Sequence, residues 1–382
     1  MNLIEKLRQF LTPVHPLPPG MFHYQSPPDS PRPYRLHLRL EPDGQGVLIV
    51  NASTVLHLNQ TAAEYAYHLI KQTPDEDVAK SMVKRYRVRK EQALNDYHDL
   101  TDRLNSLIET PDLDPETFLG IERHELYDTQ LSAPYRLDCA LTYKVPDSTA
   151  HPLAPMDRVK RELLTEEWKT ILEKAWQAGI PHIIFTGGEP TLRPDLPELI
   201  AHAEQLGQVT GLLTDGLRLT EPKYLHQLLQ EGLDHAMLLL DPSNEQSWEA
   251  LRDLLAEDIH TTVHLTITQA ITPSLPKLLD RMSQMGATHL SLSAETPALK
   301  DDLKAASQAA AERFLTLVSD LPVPYSRFNP VTIEEEEETL PDGSGKAWLY
   351  VEPDGDVLPA QGAYEPLGNL LNDSWEKIWQ KK

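Results

Sequence analysis

Three short stretches hold residue types from which a ligand site can be built, and each ends a predicted strand. The first is Gly187-Gly188-Glu189-Pro190, preceded by Phe185-Thr186 and followed by a helix-like pattern. Paired glycines let a ligand approach the backbone closely, where N–H groups can donate to it, and a glutamate can accept from a cationic group. The second is Leu213-Thr214-Asp215-Gly216, and the third is Leu240-Asp241-Pro242-Ser243. Polar residues at successive strand ends converge on one rim. Gly187, Gly188, Glu189, Pro190, Thr214, Asp215 and Gly216 are therefore the candidate pocket residues, while an ordinary tight turn remains the alternative for the first loop.

Chemistry that needs thiolates meets a hard limit, because Cys139 is the single cysteine. That count excludes an intrachain disulfide, a zinc site built on two or more thiolates, and an iron–sulfur cluster held by the usual three or four. Histidine is frequent, at 15 residues, but none pairs at metal-binding helical spacing beside carboxylates. His260 and His264 share one face of a strand and are expected to be structural or superficial. The acidic run Glu334 to Glu338 is expected to be a solvated loop, since nothing nearby orients its carboxylates.

The elements that must position these residues follow from composition and period. The chain has 382 residues, enough for two or three domains, and a formal net charge of −23. Such a charge argues against broad attraction to nucleic acid or to an anionic membrane. Leu3, Ile4, Leu7, Phe10 and Leu11 form one stripe interrupted by Glu5, Lys6 and Arg8, as in a short amphipathic helix docked on the body or a partner. No secretory or membrane-spanning pattern is seen, so a cytoplasmic location is expected. Prolines from Pro13 to Pro33 imply an extended strap.

Residues 34–110 read as a small module. Alternating Leu, Val and Ile between Tyr34 and Leu58, with turns at Asp43-Gly44 and Asn51-Ala52, predict antiparallel strands. Helices are predicted over 61–71, 74–86 and 90–108. Residues 111–132 read as a linker. Beyond it, strands at 135–141, 182–186, 211–214, 236–240, 262–266 and 289–292 alternate with helices at 166–178, 195–205, 222–231, 245–255, 275–286 and 305–317. This rhythm is α/β and predicts a parallel sheet, as a partial barrel or an open sheet, binding ligands at the strand C-terminal ends. Residues 322–382 read as a small appendage, with a strand at Trp348 to Val351 and a terminal helix around Trp375 to Trp379.

Gly187-Gly188-Glu189-Pro190 followed by Leu213-Thr214-Asp215-Gly216 strongly resembles the radical S-adenosylmethionine (radical SAM) enzymes, over residues 133–321. The resemblance implies a partial (β/α)6 barrel and a cofactor whose methionine end lies at Gly187, Gly188 and Glu189. Asp215 stands where the family usually has asparagine. In the family's first-strand loop, three cysteines spaced Cys-x3-Cys-x2-Cys follow a Leu-Thr-Tyr-Arg-like run. Here Leu141-Thr142-Tyr143-Lys144 places Val145, Thr149 and Pro152 at those positions, with His151 kept. A register starting at Cys139 would use Tyr143 and Pro146 instead. Neither supplies three thiolates.

Asp354 to Pro359, Leu367 to Asn369 and Trp375 to Trp379 resemble a SPASM or shortened twitch extension, with Ala360 where a cluster cysteine is expected. Residues 47–108, with Leu58 to Glu64 at their centre, resemble the PqqD-like peptide-recognition domains. Lys80, Lys84, Arg85, Arg87, Arg89 and Lys90 near the second helix read as a solvated face, then as a patch for an acidic peptide, with winged-helix DNA binding third given the net charge of −23. The resemblances imply a pseudoenzyme that binds a leader peptide at residues 45–110 and assists an active radical SAM partner in peptide maturation. Iron–sulfur is not expected; S-adenosylmethionine in a retained or vestigial pocket is left open. The alternatives are an enzyme of another class that reuses the pocket for a nucleoside-like ligand, and a structural subunit of a complex.

Overall fold

The computed structural model describes residues 14–27, 30–51, 54–110, 131–146, 153–319, 321–336 and 340–380, with side chains for these except 334–336. The expected N-terminal helix, nearly all of the expected linker, and Thr149, His151 and Pro152 lie outside them. The chain divides into two units, Met1–Ser132 and Ala133–Lys382.

In the first unit, strands β1 (Gly20–Gln25), β2 (Arg35–Leu40), β3 (Gly46–Val50) and β4 (Thr54–Leu58) form an antiparallel sheet in the order β1-β2-β3-β4. Alternation puts Leu36, Leu38, Leu40, Leu48, Val50, Leu56 and Leu58 in one core with Ala63, Ala66 and Ile70 of helix α1 (Gln60–Ile70). Gly46 allows that helix to lie close, since a Cβ there would stand 2.8 Å from the Ala63 Cβ. Strand β1 is an addition to the expected strap. It occupies the proline-free run between Pro19 and Pro27, where every backbone N–H is available for pairing.

Asn59 caps α1 by accepting from the Ala62 N–H at 3.0 Å. Helices α2 (Asp75–Arg85) and α3 (Lys90–Glu109) follow, packed through Val78, Met82, Ala93 and Tyr97. Glu64, 2% exposed, ties them to α1: the Arg85 Nε lies 2.6 Å away, and the Tyr86 hydroxyl donates at 2.8 Å. The basic cluster is thus partly neutralised within the module, since Lys80 and Lys90 also pair with Glu76.

The second unit is built on a ten-stranded sheet. Its strands are β5 (Arg136–Thr142), β6 (His182–Gly187), β7 (Val209–Thr214), β8 (His235–Leu239), β9 (His260–Ile267), β10 (His289–Ala294) and β11 (Thr316–Leu317), all parallel. Helices α4 (Thr165–Ala178), α5 (Leu196–Leu206), α6 (Pro222–Gln230), α7 (Glu245–Ala256), α8 (Leu275–Gln284) and α9 (Lys300–Ala311) connect them. The architecture is the α/β partial barrel.

One predicted element differs. The helix expected over 305–317 spans Lys300–Ala311, with Asp301 and Asp302 in its first turn, where the helix dipole favours acids. Phe314 then turns the chain at φ 57°, and Thr316–Leu317 pairs with β10. Apolar Phe314, Leu315 and Leu317 had extended the helical pattern past its true end. Strand β12 (Trp348–Val351) joins the sheet beside β5, in parallel, and carries β13 (Asp356–Leu358) and β14 (Gly368–Asn369) with the terminal helix α10 (Trp375–Trp379). The first three of the five glutamates of the acidic run lie in a short 3-10 segment, Val331–Glu336.

Strand faces alternate. Leu137, Cys139, Leu141, Phe185, Leu212, Leu238 and Leu265 share one core with the helices. The opposite face carries the apolar trio Ile184, Leu213 and Met237, the buried His264 and the partly buried His182 and His235. His264 lies 3.0 Å from the Ser291 hydroxyl through Nδ1 and 3.1 Å from the Ser293 hydroxyl through Nε2. His235 and His182 meet Nε2 to Nε2 at 2.7 Å. Gly211 leaves room for the His235 ring, since a Cβ there would be 2.2 Å from it.

Replacing Glu64 by Ala removes the acceptor of a buried ion pair and a tyrosine hydroxyl. The first unit should lose about 3 kcal/mol, measured by urea denaturation, with Glu64→Gln losing less. Burial lowers the His264 ring to about 4 and the His235 ring to about 3. The unfolded chain therefore takes up protons first as pH falls, so stability is full above about pH 6.5 and declines toward pH 4. His264→Gln should flatten that decline by about 3 kcal/mol in melts across the same range.

Candidate functional site

The Gly-Gly-Glu turn is shaped by the strand next to it. A Cβ on Gly187, whose φ is 132°, would stand 2.2 Å from the Thr142 carbonyl oxygen, and one on Gly188 would stand 2.3 Å from that of Lys144. The Gly188 N–H donates to the Thr142 carbonyl at 2.8 Å, and the Glu189 N–H donates to that of Lys144 at 2.8 Å. Both glycines thus serve close approach of two backbone segments. The N–H groups of Gly188 and Glu189 are engaged within the chain.

Glu189 is 3% exposed, and four donors converge on its carboxylate. Oε1 accepts from the Thr191 N–H at 2.9 Å, the Thr191 hydroxyl at 2.5 Å and the Thr214 hydroxyl at 2.8 Å. Oε2 accepts from the Asp215 N–H at 2.8 Å. The side chain therefore joins the loop after β6 to the loop after β7. Burial and then the Asp215 carboxylate push it up to about 8, and the donated hydrogen bonds pull the other way.

Pro190 opens a short 3-10 turn, Pro190–Leu192. Gly216, at φ 73°, passes over Leu238, and its N–H donates to the Thr214 hydroxyl at 3.0 Å. All seven candidate residues lie at the C-terminal ends of β6 and β7 or in the two loops that follow them.

Sequence reasoning missed the residues that close the site. Arg193 grips Asp195 with two bonds and the carbonyls of Leu141 and Leu163, fixing the turn to β5. The start of the 322–382 appendage, to which the sequence assigns no site residue, crosses the strand ends. Its Tyr325 N–H donates to the Gly187 carbonyl at 2.8 Å, the Tyr325 ring meets Tyr143 edge-on with centroids 5.3 Å apart, and Arg327 pairs with Asp241. Dense prolines (Pro322, Pro324 and Pro330) were the available signal, since they favour an ordered extended strap.

The strap leaves a cavity of about 170 Å³ bordered by Val145, Glu189, Asp215, Asp241 and Arg327. Ligand pockets for cofactor-sized molecules span roughly 300–1,000 Å³.

An iron–sulfur cluster does not fit the residues present. Val145, at the first ligand position, is a buried apolar side chain. Cys139 faces the opposite core with no exposure, and burial pushes its thiol up, away from the thiolate form. Ala360 in the tail is buried and offers no donor. Among the described residues, no group of three or more His, Cys, Asp or Glu side chains is arranged to hold a metal ion.

Glu189→Ala strands four donors at once. The second unit should lose about 3 kcal/mol or more by chemical denaturation, a larger loss than Asp215→Asn, which keeps the Asp215 N–H in place.

Residues 139–256 match the model of the Radical SAM superfamily. The "PqqA peptide cyclase" of Streptomyces rochei is 29% identical over 283 residues, covering 66% of this chain and 77% of that protein. Streptococcus suis SuiB shares the fold, with a TM-score of 0.54 at 14% identity over 90% of this chain and 86% of that one. Its forms bound to S-adenosylmethionine and to precursor peptide SuiA give 0.55 and 0.53. Among the described residues no helix is long and apolar enough to cross a membrane. The chain thus carries a radical SAM-type segment within residues 139–256, shares the SuiB fold with its four-stranded N-terminal sheet and partial barrel, and has one cysteine.

Proposed function

We propose that this chain is a cluster-less radical SAM-like pseudoenzyme that binds a peptide through residues 45–110. In this role it acts as an accessory or scaffold for an active radical SAM partner in ribosomal-peptide maturation. One observation carries the reading: the lone cysteine is sealed in the core behind β5, while the loop that should ligate iron presents Val145. The names of the relatives support the peptide part, one being a peptide cyclase and another having been captured with its precursor peptide.

Strand β4 is the edge of the N-terminal sheet opposite β1. An extended peptide would add to that edge through backbone hydrogen bonds, with side-chain pockets setting its sequence. Gly187, Gly188, Glu189, Pro190, Thr214, Asp215 and Gly216 then act as a structural remnant of the cofactor pocket. S-adenosylmethionine would have to displace Tyr325 to reach them. Residues 322–382 serve as a degenerate SPASM-like extension that completes the sheet.

Two measurements test this. Anaerobic reconstitution with iron and sulfide should leave the protein without a stoichiometric cluster, and a full cluster would overturn the reading. Peptides selected from a display library against the whole chain should slow hydrogen exchange at the β4 amides. Protection confined to other segments would remove residues 45–110 as the binding site.

A further inference from the structure

The segment that crosses the barrel mouth is held in the manner of a bound peptide. Leu321 enters the apolar trio Ile184, Leu213 and Met237. Tyr325 gives its backbone N–H to the Gly187 carbonyl and buries its ring against Tyr143, and its hydroxyl accepts from Arg158 at 3.3 Å. Ser326 and Asn329 then exchange backbone hydrogen bonds of 3.1 Å each way, closing a tight turn whose tip is Arg327-Phe328. The Arg327 guanidinium lies 4.6 Å from the Phe328 ring centroid and pairs with Asp241 at the end of β8.

A backbone donor on a carbonyl, a buried aromatic ring and a guanidinium on a carboxylate are the anchors by which peptide ligands are usually held. They differ in permanence here. Tyr325 is 1% exposed, whereas the Arg327 side chain is 50% exposed and so makes a solvent-screened, exchangeable contact. The cavity beneath it keeps two further carboxylates, Glu189 and Asp215, on its wall.

We propose that the barrel mouth is a second peptide site, selective for a turn of the form aromatic–x–Arg, and that the strap is its tethered competitor. This rests on the reading of the chain as a peptide-binding protein, at a place separate from β4. Tethering raises the effective concentration of the strap to the millimolar range, so an external peptide binds the unsubstituted chain weakly. Loss of the exchangeable anchor opens the site.

The probe is a fluorescein-labelled, end-capped octapeptide with the sequence of residues 323–330, read by fluorescence polarisation against the full chain. Arg327→Ala should bind it up to about fivefold more tightly than the unsubstituted chain, and Phe328→Ala, at the half-buried tip, should give a second opening. The gain should vanish when Asp241→Asn is added to the chain, or when the peptide carries Arg327→Glu. Thermal melts establish that each variant is folded. If both opened variants bind no better than the unsubstituted chain, or if the charge-reversed peptide binds equally well, the strap is only a lid and the proposal fails. Failure of β4 protection in the display experiment would leave these outcomes unaffected.

Discussion

The carboxylate of Glu189 is the constraint around which the barrel mouth is organised. It sits out of water, where burial and the Asp215 carboxylate disfavour its charge, and its buried oxygens are satisfied only by donors that come from two successive loops. That requirement fixes where Thr191, Thr214 and Asp215 must lie. Through the Gly188 and Glu189 N–H groups it also fixes the path of the chain leaving β5. In a chain with one cysteine, this tie gives the Gly-Gly-Glu segment a structural duty of its own. The segment holds loops together whether or not it holds a ligand.

Much of the architecture was legible because periodicity reports burial. The six barrel strands and five of their helices appear as one-face or two-face apolar runs, and tertiary packing agrees with local propensity. Strand β1 was legible only as extended chain. Pairing depends on a partner distant in sequence, which single-segment pattern cannot show. The last barrel helix was displaced because Ala306 and Ala310 bury a small-residue face, whereas the louder apolar residues after it belong to a turn and an edge strand.

The site was legible in its residues but not in their duties. Gly187, Gly188 and Glu189 were found by type and spacing. Type alone cannot say whether a glycine makes room for a ligand or for a neighbouring strand, and here the Thr142 and Lys144 carbonyls occupy that room. Tyr325 and Arg327 escaped notice because they belong to no regular element. Their roles arise from where the chain is carried after the sheet has formed. Cys139 was read correctly as a buried apolar side chain, since its strand position alternates onto the helix-facing core.

The tail strand β12 lies in register beside β5, with Val351 opposite Cys139, so its partner stands roughly 210 residues earlier in the chain. During synthesis the first barrel strand must therefore wait, one edge unsatisfied, until the segment roughly 210 residues further on has left the ribosome. Contacts of that span are slow to form and leave an open sheet edge exposed to other chains in the interval. A protein that shares its fold with peptide-binding machinery thus passes through a stage in which its own β5 is a vacant strand-pairing site, closed at last by its own C-terminal segment.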